Sequence, residues 1–199
     1  MGLLDIAGLY SRNRSLVYFA KPSTMAVIIT LAIARRTFDP SRYSLLIIIG
    51  LMCSLAGDVF LMLPSDQFIA GLVSFLIAHV FYIIAFRTDA HGLTGIDIAA
   101  PLYGLGLIIF WVLWPKLRGM EIPVLVYMLV IMTMAWQSVV RWRANQNDYR
   151  RLSAVIGAIL FVISDSTIAF SRFRGHSYIS DGLTMSTYFA AQWLIAMSI

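Results

Sequence analysis

Cysteine is nearly absent from this sequence. Cys53 stands alone among 199 residues, inside an apolar run. An intrachain disulfide framework is therefore excluded. Charged residues are scarce as well, at 13% of the chain, and they cluster between apolar stretches. Histidine occurs three times, at positions 79, 91 and 176. A zinc centre wants several converging His, Cys or carboxylate ligands. His91 and His176 fall in expected loops on opposite membrane sides, so an intramembrane zinc hydrolase is not expected, and no metal or organic cofactor is called for. GxSxG, HExxH and phosphate-binding Gly loops are missing too. Residues 1–14 hold Asp5, Arg12 and Arg14 and lack the apolar core of a cleavable signal.

What the chain has in abundance is apolar surface. Sixty per cent of residues are apolar, and the mean hydropathy is +0.82. A soluble protein of this make-up would lack the polar residues to cover itself. The composition implies an all-α, polytopic membrane helix bundle, with one transmembrane domain over residues 1–199. The net charge of +5 does not point to nucleic acid. The arginines are expected at helix ends, among phospholipid headgroups.

A helix needs about 20 apolar residues to cross the hydrocarbon core. Seven runs qualify: 15–34, 44–63, 68–86, 96–114, 122–140, 152–170 and 183–199. The total expected is seven or eight transmembrane helices. Segment 3–10 has room for a short surface helix. The breaks carry Pro, Gly and charge and are short, which makes sequential helices antiparallel neighbours. Eight arginines fall on the side opposite the N-terminus, against six Lys and Arg on the N-terminal side. The positive-inside rule then puts the C-terminus in the cytoplasm.

Two carboxyls interrupt the apolar runs. Asp58 and Asp165 are each the fifteenth residue of their spans, and both spans run in the same direction. At 1.5 Å rise per residue, each lies roughly 7–8 Å from the N-terminal-side face. A charge at mid-bilayer costs at least about 2.5–3.5 kcal/mol, so such residues usually face the bundle interior and serve a pathway or site. The plainer alternative is a structural carboxyl that fixes helix packing. Lys21, Tyr127, Tyr188 and Gln192 fall in the same layer, with His79 deeper and Tyr82 one turn beyond it. Lys21 either snorkels to the interface or serves the acids. The two tyrosines are either belt residues or part of the site. Gln192 has the bland reading of bonding a neighbouring helix, and His79 that of a satisfied interior histidine. Gly50, Ala56, Gly57, Gly71, Ser74 and Ala78 suit close helix contact. Gly50 and Gly157 each precede an aspartate by eight residues, a weak internal echo.

Several stretches, taken in order, resemble the YhhN family of membrane proteins, which includes the lysoplasmalogenases. They are KPSTM at 21–25, AGDVFLM at 56–62, GLVSFLIAHVFYIIAF at 71–86, GAILFVISDSTIAFSRF at 157–173 and YFAAQWLI at 188–195. The resemblance implies eight transmembrane helices, of which this chain is expected to lack most of the first. It implies a bacterial inner-membrane location and a lysophospholipid substrate among the membrane lipids. The activity implied is hydrolysis of the lysoplasmalogen vinyl ether, giving a fatty aldehyde and glycerophosphoethanolamine or glycerophosphocholine. Asp58 and Asp165 match the family's catalytic acidic positions.

That chemistry suits the residues. Protonation of a vinyl ether at its β-carbon gives an oxocarbenium-like cation, and water then adds. One protonated carboxyl and one carboxylate suffice, as for the similar cation in glycosidases. Burial disfavours the charged form, and two nearby carboxyls titrate apart. Sequence leaves open which Asp is the acid. Lys21 is expected to keep one aspartate ionised or to bind the lipid phosphate. Tyr127, Tyr188 and Gln192 would orient water or the glycerol hydroxyl, and His79 and Tyr82 would support them. Three rivals stay open: a proton-coupled transporter, a non-catalytic lipid-binding protein, and a hydrolase of another lysolipid.

Overall fold

The computed structural model describes residues 14–90, 95–175 and 178–199. Among the described residues there are seven long helices: α1 (Arg14–Phe38), α2 (Arg42–Met62), α3 (Phe68–Arg87), α4 (Ile96–Leu113), α5 (Glu121–Ala144), α6 (Tyr149–Arg174) and α7 (Tyr178–Met197), with a 3-10 turn at Trp114–Lys116 after α4. The all-helical bundle expected from composition is what forms. Segment 3–10, His91 and His176 lie outside the described residues.

Among the described residues, five helices, α2 to α6, are long and apolar enough to cross a membrane. α1 and α7 complete the seven helices expected from the apolar runs. α1 carries Arg14, Lys21, Arg35 and Arg36, and α7 carries Asp181 and Gln192. Both helices nevertheless pack into the bundle: α7 lies along α6, and α1 contacts α2 and α7. At their far ends the Arg35 guanidinium donates to the carbonyls of Met197 (3.0 Å) and Ile199 (3.2 Å).

Several boundaries move outward from the sequence expectation. α1 runs on to Phe38, past Arg35 and Arg36. Pro22 does not break it. Proline removes one ladder donor, and neighbouring hydroxyls take up the local carbonyls: Ser23 donates to Phe19 O (2.7 Å) and Thr24 to Ala20 O (2.9 Å). This is a usual way for membrane helices to tolerate proline. α6 continues through Ser171–Arg174, where a break was expected. Ser41 and Asp148 cap α2 and α6 by accepting from Ser44 N and Arg150 N. Such caps satisfy donors that the first turn leaves free.

Not every arginine faces headgroups. Arg141 is buried at the α5 end. Its guanidinium lies 3.9 Å over the Tyr43 ring and 3.0 Å from Asp89. Tyr43 in turn shares a hydrogen bond with Ser198. This polar knot ties α1–α2, α3, α5 and the chain end together at the face opposite the two aspartates.

The closest helix pairs are α2–α3 and α6–α7. Each is set by the glycine that precedes an aspartate by eight residues. A Cβ on Gly50 would fall 2.3 Å from the Tyr82 ring, and one on Gly157 would fall 3.0 Å from the Ala191 carbonyl oxygen. The echo in sequence is thus a shared packing device. Overpacking of this kind costs about 1–3 kcal/mol. Gly157→Ala should lower the thermal midpoint of the purified protein by several degrees. Gly104→Ala, with nothing near its Cβ position, should not. Differential scanning fluorimetry in detergent reads both.

Candidate active site

The polar residues singled out in the sequence converge. α2 ends its buried stripe at Asp58, which is 1% exposed. Lys21 of α1, at 13% exposure, places Nζ 2.8 Å from Asp58 Oδ1. Tyr188 of α7 donates to Asp58 Oδ2 at 2.6 Å. Both carboxylate oxygens of Asp58 are therefore engaged. Of the two readings for Lys21, snorkelling is set aside: its ammonium turns inward to an acid.

Asp165 of α6 is bonded differently. Tyr127 of α5 donates a short hydrogen bond to its Oδ2. His79 Nε2 of α3 sits 3.9 Å from the same oxygen, too far for a hydrogen bond. Among the described residues no Lys or Arg pairs with Asp165. Two acids thus share one layer, and only one of them has a cation beside it. Tyr127 and Tyr188 turn their hydroxyls to the two acids. Gln192, fully buried, accepts from Tyr82 OH at 2.9 Å. That is the helix-to-helix bond of its bland reading, and it joins α7 to α3 one turn beyond Tyr188.

Aromatic rings pack around the tyrosines and the histidine of this layer. Phe161 lies 4.7 Å from His79 and 5.5 Å from Tyr188, centroid to centroid. His79 lies 5.4 Å from Tyr127, and Phe75 5.9 Å from Tyr188. These separations suit edge-to-face contact. The sequence reading passed over Phe75 and Phe161. The signal was present: each stands four residues before a site residue, His79 or Asp165, and so shares its helix face. Among the described residues, no three His, Cys, Asp or Glu side chains converge as a metal cage.

An apolar cleft leads to this layer. Its cavity volume is about 60 Å³. Leu72, Ile109, Met128, Ile131 and Val162 are among its walls, and Asp165 and Tyr127 are its polar groups along with Ser166. Asp58 and Lys21 do not line it. Asp165 is 10% exposed, against 1% for Asp58. The cleft thus presents one acid and leaves the ion pair behind it.

Fold and site define a polytopic helical membrane protein with two acids buried between its helices. The sequence model of the YhhN family matches residues 16–199, and the chain belongs to that family. It is 40% identical over 158 residues to lysoplasmalogenase TMEM86A of Homo sapiens, covering 76% of this chain and 64% of the relative. It is 36% identical over 153 residues to lysoplasmalogenase TMEM86B of Mus musculus, covering 75% of this chain and 61% of that protein. A membrane protein YhhN of Escherichia coli O157:H7 is 26% identical over 179 residues, covering 90% of this chain and 85% of its own length. The chain spans just under two thirds of the length of the mammalian relatives. No solved structure matches it.

A buried pair broken on one side leaves an uncompensated charge, at about 3–5 kcal/mol. Lys21→Met should therefore destabilise the protein strongly. Lys21→Met combined with Asp58→Asn should recover most of that loss. Thermal unfolding of the three proteins in detergent checks this; equal loss in the single and the double variant would contradict the pairing.

Proposed function

We propose that this protein hydrolyses the vinyl ether bond of a lysoplasmalogen, with Asp165 as proton donor. The observation that carries the assignment is that Asp165 faces the apolar cleft with no Lys or Arg paired to it among the described residues, while Asp58 is ion-paired behind it. Burying a second uncompensated charge is costly, so the proton is assigned to Asp165. The names of the mammalian relatives support the choice of substrate.

The reaction is built as follows. The alkenyl chain lies in the cleft, with its double bond at Asp165. The Asp165 carboxyl gives its proton to the β-carbon, and the π electrons form the new C–H bond. The cation left is shared between the α-carbon and the ether oxygen. Its neighbour in the cleft is the Asp165 carboxylate just formed, and the Asp58 carboxylate, bonded to Lys21 and Tyr188, acts on it from behind. Fixed oxygens aimed at developing positive charge need no reorganisation. Water adds to the α-carbon, and its proton returns to Asp165. The hemiacetal then collapses to a fatty aldehyde and the glycerophospho alcohol. Tyr127, bonded to Oδ2, positions the Asp165 carboxyl, while His79 and the Gln192–Tyr82 bond hold the layer together from below.

General acid catalysis contributes about 100- to 10,000-fold. Asp165→Asn should reduce fatty aldehyde release by at least that lower factor, and Asp58→Asn should do so too. The Lys21→Met/Asp58→Asn protein serves as the folded control for the latter. Reaction in D2O should place one deuterium on the carbon next to the aldehyde group. Turnover at wild-type rate in both Asn variants, or an aldehyde without that deuterium, overturns the mechanism.

A further inference from the structure

A lysophospholipid in this cleft brings a phosphate as well as an alkenyl chain. Lys21 is the cation of the buried layer, but its ammonium is committed to Asp58 at 2.8 Å and does not line the cleft. The phosphate therefore needs another partner.

The cleft reaches the membrane face between Phe68, in the first turn of α3, and Phe173, in the last turn of α6. The two rings meet edge to face at 6.0 Å. Arg172 lays its guanidinium over Phe68, with Cζ 4.9 Å from the ring centroid. Its Nη2 lies 2.5 Å from Asp66 Oδ2 in the connection before α3. Stacking on an aromatic face fixes the plane of an arginine fork and leaves its N–H edge free for an anion. The Asp66 carboxylate shows that an anion fits there. This pair is open to solvent, Arg172 being 42% and Asp66 65% exposed. An exposed pair of this kind contributes little to stability, so the fold alone gives Arg172 little reason to stack on Phe68, a wall of the cleft that Arg172 itself does not line.

Distance makes the case specific. Arg172 follows Asp165 by seven residues on α6. Two turns of helix return to the same face, about 10.5 Å further along the axis. In a lysoplasmalogen seven bonds separate the β-carbon from phosphorus, roughly 9 Å when extended. We infer that Arg172, stacked on Phe68, receives the phosphodiester of the substrate in exchange for Asp66, and so sets the register of the vinyl ether at Asp165. This rests on the hydrolase reading for its register and on geometry alone for its anion.

The experiment compares two substrates in the purified full chain: a lysoplasmalogen, and the 1-alkenylglycerol that lacks its phosphate headgroup. Arg172→Gln should raise KM for the phospholipid roughly 10- to 100-fold, the factor of a lost charge-assisted contact, with kcat little changed. The alkenylglycerol should react as in wild type. Asp66→Asn breaks the same surface pair and leaves the arginine. It should keep or lower KM, whereas a merely structural bridge would make both variants fail alike. Equal loss on both substrates, or none on either, overturns the inference. Binding of a non-cleavable 1-alkyl lysophospholipid separates this from the hydrolase reading. Arg172-dependent binding by a wild type that releases no aldehyde would leave the phosphate site standing and remove the activity. Inorganic phosphate that binds as tightly as that lipid would make this a free-anion site and overturn the substrate assignment.

Discussion

One buried ion pair organises the structure. Lys21 and Asp58, from the first two sequence motifs, meet at 2.8 Å, and Tyr188 closes the carboxylate from a third helix. Neither charge can be left alone among apolar helices without a cost of several kcal/mol. The pair therefore fixes which faces of α1, α2 and α7 turn inward. It also places the polar residues of α1 and α7: Lys21 and Tyr188 are directed at the bundle's centre. The backbone adapts to the same demand. α1 runs through Pro22, the residue after Lys21, with Ser23 and Thr24 occupying nearby carbonyls.

From that pair follows an asymmetry between two similar halves. The α2–α3 and α6–α7 hairpins each use a glycine for close approach, and each presents an aspartate eight residues later. Their environments then diverge. Asp58 has a cation and a tyrosine; Asp165 has a tyrosine, a histidine beyond hydrogen-bond reach and an open cleft. Two carboxyls held in unlike environments can divide the roles of acid and charge stabiliser. The rings of Phe75, Phe161 and Tyr188 pack edge to face with one another in the same layer.

Much of this was legible in the sequence, for identifiable reasons. Helix number and order follow from apolar runs, because a spanning helix must satisfy its backbone internally over a fixed length. The common depth of Asp58 and Asp165 follows from counting residues along antiparallel helices. Lys21, Tyr127, Tyr188 and Gln192 were placed in their layer by the same counting. Partner choice was not legible. Which tyrosine bonds which acid depends on lateral helix order and rotation, and one-dimensional counting carries neither. Phe75 and Phe161 were hidden by the same composition that revealed the helices: two phenylalanines among many apolar residues carry no contrast. Arg141 misled in the opposite way. Its position at a helix end looked interfacial, but Arg141 is buried, with Tyr43 of α2 and Asp89 of the turn after α3 against it.

The depth of the site has a consequence for its substrate. In an ether lysolipid the scissile bond lies just below the glycerol, a few ångströms under the headgroup plane. A soluble enzyme would have to draw such a lipid out of the bilayer to reach that bond. Here Asp165 sits two helical turns inside the bundle from the face where Arg172 stands, and the walls between and beyond are apolar. The cleft reproduces the polarity sequence of the lipid itself: charged at the mouth, one acid below it, hydrocarbon around it. A lipid placed in the cleft with its headgroup at the face would bring its vinyl ether to the acid without leaving its own depth. On the proposed reading, selectivity for ether over other bonds then resides in Asp165, whose proton suits a carbon that becomes basic only next to an enol oxygen.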